Sequence, residues 1–178
     1  MGYSFERKWS DRFLPEVTRK LENCLGVCGL KVAPEEEDVH HATDLMTIGN
    51  GSIRVGVRMR RNYAWVNFLN DFTIRSTLDT GSKTELSKII DGWGDYLFYG
   101  FAGKCESRVI DYHIINLSYF RAWAKQDTPI IDFGGFCSYR ETSFSSFGEV
   151  PNGDGTYFVP YDVRKLNPVI IKKTTTRN

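Results

Sequence analysis

The sequence has no apolar run near the length that a membrane helix needs, and no signal-peptide pattern at its N-terminus. Those absences exclude a membrane partner through a spanning helix and predict a soluble chain that works in the cytoplasm. Cysteine is scarce. Cys24, Cys28, Cys105 and Cys137 form no C-x-x-C pair, so neither a zinc finger nor a disulfide framework has support. All four are expected to be reduced and packed. There is no nucleophile elbow, no phosphate-cradling glycine loop and no dinucleotide fingerprint. Pro151-Asn152-Gly153-Asp154-Gly155 is glycine-rich but lacks the ligand spacing of a calcium loop. Charge of one sign is missing too. The formal net charge is +1, which gives no global pull toward nucleic acid.

What is present suits one α/β domain over 1–178, with flexible ends expected at 1–10 and 172–178. The 178 residues are 41% hydrophobic and 14% aromatic, enough for a sizeable core. Phe13, Leu14, Val17, Leu21 and Leu25 recur at helical spacing, with Pro15 suited to the first turn and Gly26 to the stop. Residues 27–41 read as a loop holding Pro34 and the acidic run Glu35-Glu36-Glu37-Asp38. Strands are predicted near 42–48 and 52–61. After an irregular aromatic stretch, 62–70, a third follows at 71–76. A short helix at 83–90, capped by Ser82 or Thr84, precedes strands at 95–101 and 109–115. A helix at 118–125, a loop-rich stretch at 128–155 and a strand at 156–163 complete the order.

Charge is distributed unevenly. Between Ser52 and Ser76 there are five arginines and one acid, Asp71. Ile53, Val55, Val57 and Met59 alternate with Arg54, Gly56, Arg58 and Arg60, the period of a half-buried strand. Asn50-Gly51 is a hairpin signal, so a short turn would bring Asp44 close to the arginine row. A carboxylate beside fixed cations can hold a phosphodiester, with or without a metal. The same pattern also places charges on an ordinary solvated face. Gly56 leaves room there for a ligand or backbone to approach. Arg54 and Arg61 read as solvated, and Arg75 on the third strand could join the basic face. Of His40-His41, adjacent on an extended segment, at most one could join Asp44 on a metal. Tyr96, Phe98, Tyr99 and Phe101 could stack bases, though a strand buries alternate residues.

The element order resembles the αβββαβ core of the PD-(D/E)XK nucleases, the restriction-endonuclease-like fold. The resemblance rests on Thr43-Asp44-Leu45, Ile53 to Arg61, Phe72-Thr73-Ile74-Arg75, Gly81 to Ile89 and Asp95 to Gly100. The later blocks also look like uncharacterised phage proteins, which would place the chain in a host cytoplasm. The resemblance implies a central mixed sheet flanked by helices, with a C-terminal β-α-β extension. It also implies acids that bind magnesium (or manganese) and a lysine that activates water. Asp44 matches the family's Asp. The second acid falls on Gly56 and the lysine on Arg58. Glycine cannot hold a metal, and arginine stays protonated but can clamp phosphate bidentately. Migration of the acid to the following helix would make Glu85 the second ligand and Lys88, three residues on, the basic group. Asp71 is the other candidate ligand.

Two functions follow as expectations. One is a metal-dependent nuclease acting on DNA or RNA. Asp44, Glu85, Lys88 and Arg58 would be catalytic, Asp44, Glu85 and Asp71 metal-binding, and Arg54, Arg58, Arg60, Arg61 and Arg75 would contact nucleic acid. It predicts that Asp44→Ala abolishes cleavage with little change in melting temperature. The other is a catalytically degenerate relative that binds nucleic acid or a protein partner, as a phage accessory factor or host inhibitor would. Oligomeric state is open.

Overall fold

A computed structural model describes residues 3–47, 51–77, 84–126, 131–133, 136–138, 150–151, 155–164 and 170–175. Along the chain it shows α1 (Tyr3–Asp11), α2 (Leu14–Leu25), β1 (Lys31–Val32), α3 (Glu35–His41), β2 (Leu45–Met46) and β3 (Arg54–Arg60). Next come α4 (Asn62–Phe68), β4 (Asp71–Thr77), α5 (Glu85–Ile90), β5 (Tyr96–Ala102), β6 (Val109–Asn116) and α6 (Leu117–Gln126). The remainder is β7 (Ile131–Phe133), β8 (Phe136–Ser138), β9 (Val150–Pro151), β10 (Tyr157–Asp162) and β11 (Ile170–Thr175).

These elements fall into two compact units. The first takes Met1–Leu69, Gly94–Asn116 and Ile170–Asn178, and the second takes Asn70–Trp93 and Leu117–Val169. The first unit holds a mixed sheet of order β1-β2-β3-β5-β6-β11. Only β3 and β5 are parallel neighbours; every other pair is antiparallel. The α/β class and the mixed sheet flanked by helices are therefore present. On one face, Trp9 of α1, Val17 and Leu21 of α2, and Phe13 between the two helices bury against Val55, Met59, Phe98, Tyr112 and Ile114. α2 starts and stops as its sequence predicts, with Pro15 in the first turn and Gly26 left-handed at φ 66° after the last.

The second unit carries a sheet of order β4-β10-β9. Its core brings Phe72, Phe120 and Tyr161 together, with ring centroids 5.3–6.0 Å apart. β4 lies where the third strand is expected, but pairs with β10 rather than with β3. Asp71 stands opposite Asp162 in that pairing. Asp162 accepts three hydrogen bonds from the Arg164 guanidinium, at 2.9, 3.2 and 2.6 Å. Burial, and then the Asp162 charge, raise the Asp71 pKa above its ordinary value against a smaller pull from Arg164. An acid that holds its proton more tightly when folded adds stability while protonated. That contribution is complete below the ordinary carboxylate range and is lost as pH rises through the raised value. Asp71→Asn, neutral at every pH, is therefore expected to exceed wild type in melting temperature at neutral pH. The gap should close on acidification, and parallel curves from pH 3 to 8 would refute the account.

Several elements depart from the sequence reading. The acidic run is not a loop. It opens α3 after Pro34, where carboxylates favour the helix N-terminus. Residues 62–68 are helical rather than irregular, and β2 is shorter than expected because the chain bends away at Ala42, left-handed at φ 51°. At the expected loose N-terminus, α1 is held by Trp9, whose indole N–H donates to Glu106 at 2.7 Å. Near the C-terminus, β11 pairs with β6. Cys28 and Cys105 are exposed rather than packed, while Cys24 lies 3.7 Å from the Tyr112 hydroxyl. Gly49, Asn50, Ser82 and the Pro151–Gly155 turn lie wholly or partly outside the described residues. Among the described residues, no helix is long and apolar enough to cross a membrane.

Candidate functional site

The arginine strand is β3, at the centre of the first unit's sheet. Val55 and Met59 point into the α1–α2 core, which turns Arg54, Gly56, Arg58 and Arg60 to the other face. The register carries that face across the sheet. Gly56, Arg58 and Arg60 stand beside Leu97, Tyr99 and Phe101, and these beside Ile115, His113 and Asp111. The β5 and β6 residues of that row are all buried, whereas the three arginines of β3 are partly exposed. The basic face is thus the rim of a covered surface rather than an open solvated one. Tyr99 is buried in it, not displayed for stacking.

Asp44 sits just before β2, and three of its hydrogen bonds tie it to the neighbouring backbone. Its N–H donates to Val55 O at 3.0 Å, its carbonyl accepts from Ala33 N–H at 2.9 Å, and its Oδ2 accepts from Val57 N–H at 2.6 Å. The last bond replaces the ladder partner that Val57 loses where the chain turns off at Ala42. Proximity of Asp44 to the arginine strand is therefore present, and the carboxylate works as part of the backbone pairing.

Gly56 is explained by the same bend. A Cβ built on it would lie 2.8 Å from the Ala42 carbonyl oxygen and 3.1 Å from Leu97 Cδ1. The open space that a glycine suggests at this point is filled by backbone. Nothing larger fits without moving Ala42.

The flanking arginines differ in their engagement. Arg54 Nε lies 3.5 Å from Glu37 Oε2 without making a hydrogen bond, and its backbone N–H donates to Asp95 Oδ2 at 2.8 Å. Glu37 also holds His41 Nδ1 at 2.9 Å, one helical turn along α3. His40 and His41 are therefore on a helix, not on the extended segment assumed for a metal pair. Arg61 is not solvated. It donates to Glu106 at 2.7 Å and to Glu6 at 3.1 Å, and its guanidinium lies 4.3 Å from the Trp9 ring centroid. The Glu106 hydrogen bond raises the Arg61 pKa and lowers that of Glu106, each against the effect of burial.

Glu85, Lys88, Asp71 and Arg75 belong to the second unit. Glu85 is the first residue of α5, capped by Thr84, whose side chain accepts from Ser87 N–H at 3.2 Å. Glu85 Oε2 lies 3.5 Å from the Arg75 N–H. Within the first unit the residues do not fit a magnesium site of the family's kind. Asp44 gives one oxygen to Val57, and position 56 has no space for a second acid. Among the described residues, no three of His, Cys, Asp and Glu gather as a metal would require.

Sequence reasoning passed over Asp111, buried on the arginine face with Oδ1 accepting its neighbour's N–H at 2.8 Å. The available signal was a lone acid inside the apolar strand Val109–Ile115. Compared with family models, curated proteins and solved structures, the chain matches none.

Proposed function

We propose that the chain is a catalytically degenerate relative of the restriction-endonuclease-like fold that binds nucleic-acid phosphates through Arg58 and Arg60. The order α2, β1, β2, β3 and a helical crossover to a parallel β5 supports that kinship, with β4 as an added strand. The observation that carries the reading is the closure of Gly56 by the Ala42 carbonyl, at 2.8 Å from a Cβ. It removes the strand acid on which metal-assisted cleavage depends, while leaving the arginines beside it at the rim. Arginine suits this task, since its planar fork matches phosphate oxygens and it stays charged at any physiological pH.

The expected result is metal-independent binding of DNA or RNA that weakens steeply with salt. Arg58→Ala with Arg60→Ala should reduce the slope of log K against log salt by about 1.4–1.8. Fluorescence anisotropy at several salt concentrations measures this. Magnesium- or manganese-dependent cleavage by the wild type would overturn the degenerate reading. Absence of any nucleic-acid affinity would remove the binding reading and leave a protein partner.

A further inference from the structure

Helix α3 sets an acidic segment against one end of the arginine row. Ala42, the residue that follows it, holds its carbonyl oxygen 2.8 Å from where a Gly56 Cβ would stand. Gly56 shares its face with Arg54, Arg58 and Arg60. The chain leaving α3 therefore crosses the arginine face between Arg54 and Arg58. The helix also meets Arg54 directly, through Glu37 Oε2 at 3.5 Å from Arg54 Nε.

That contact is poorly made. The Arg54 Nε is buried, yet it makes no hydrogen bond. Glu37 Oε2 is engaged at the shorter distance of 2.9 Å by His41 Nδ1. A buried donor without an acceptor costs free energy, which a better-placed oxyanion would recover. The Arg54 side chain is 38% exposed, so it is not sealed from an anion in solution. α3 itself is lightly anchored. Among its described side chains none is buried: Glu35, Glu36 and His40 are exposed, and Glu37 and His41 are half-buried. Its exit through Ala42 is left-handed at φ 51°, a conformation that alanine holds only against a steric cost. Carboxylate and phosphate are both oxyanions that a guanidinium takes, so they compete for the same cation.

Resting on the phosphate-binding reading above, we infer that α3 is an autoinhibitory strap: Glu37 withholds Arg54 from the arginine row, and a nucleic-acid phosphate that displaces Glu37 recruits Arg54 beside Arg58 and Arg60. Glu37 acts here as a competitor for the cation and makes no contact with the ligand.

The test is anisotropy titration of the full chain with labelled DNA and RNA strands of mixed sequence, single and annealed. Glu37→Gln removes the charge but keeps an oxygen that can accept from His41, so its melting temperature should stay near that of wild type. It should bind nucleic acid about two- to fivefold more tightly, the range that release of a half-exposed ion pair allows. The gain should vanish in an Arg54→Gln background. Glu36→Gln, which removes the same charge from an exposed neighbour, should give a smaller gain or none. Glu37→Asp keeps the charge but shortens its reach to Arg54, and should move binding in the same direction as Glu37→Gln. It decides the matter if the amide variant melts well below wild type. Unchanged or weaker binding by Glu37→Gln would overturn the inference. So would an equal gain from Glu36→Gln, or a gain that persists without Arg54, since either makes α3 a general acidic field. In those cases loss of binding in the Arg58 and Arg60 variant would still stand for the phosphate-binding reading. If neither wild type nor Glu37→Gln binds any strand, both readings fall.

Discussion

Gly56→Asp, which restores an acid at the position the nuclease family uses, is expected to destabilise the chain by at least about 3 kcal/mol and to confer no metal-dependent cleavage. The cost has two separable parts. The new Cβ would meet the Ala42 carbonyl oxygen at 2.8 Å, and that atom belongs to backbone already held in a left-handed bend. Relief of such overpacking in a central strand costs about 1–3 kcal/mol. The carboxylate adds the penalty of a charge placed at a buried position. Gly56→Ala isolates the first part and should lose about 1–3 kcal/mol in urea denaturation. A Gly56→Ala protein within about 0.5 kcal/mol of wild type would show that Ala42 yields easily, because substitutions that disturb nothing fall in that range. Cleavage by Gly56→Asp with magnesium would show that the site is one residue short of activity.

The parts of this fold that were legible in the sequence are those whose burial is one-sided and local. α2 announces itself by helical apolar spacing, Pro15 and Gly26. β3, β5 and β6 announce themselves by alternation or by dense aromatic and β-branched content. α4 was illegible because Tyr63, Val66 and Phe68 stay exposed, so its apolar residues do not trace a buried stripe. α3 was hidden by Pro34 and four acids, which read as a loop until their place at a helix N-terminus is seen. The pairing of β4 with β10 has no local signature at all, since it joins segments far apart in the chain. At the candidate site, the nearness of Asp44 to β3 followed from the hairpin signal alone. What Asp44 does there did not. Its bond to Val57 depends on where the chain leaves the ladder, and the left-handed residue that decides this is an alanine rather than a glycine. Glycine at 56 was equally ambiguous. The same residue marks either an opening for a ligand or a close approach of backbone, and only the position of Ala42 distinguishes them.

Asp44→Ala separates the two roles that this residue can have. As a metal ligand, its loss would abolish cleavage and leave stability nearly untouched. As a strand tie, its loss strands the Val57 N–H at a half-buried position and removes a charge-assisted hydrogen bond of 2.6 Å. Such bonds contribute about 1.5–3 kcal/mol. For a chain of this size that corresponds to a fall in melting temperature of roughly 3–12 °C. The structure favours the second outcome, and Asp44→Asn sharpens it. An amide oxygen can still accept from Val57, so Asn should recover more than half of the loss, whereas it would not restore a metal ligand's charge. Differential scanning calorimetry of wild type, Asp44→Asn and Asp44→Ala gives the order directly. A melting temperature for Asp44→Ala equal to that of wild type, together with loss of a magnesium-dependent activity, would return Asp44 to the role of ligand. The graded order wild type, Asn, Ala makes it the residue that lets β3 continue past the end of β2, and so sets the position from which Arg58 and Arg60 reach the rim.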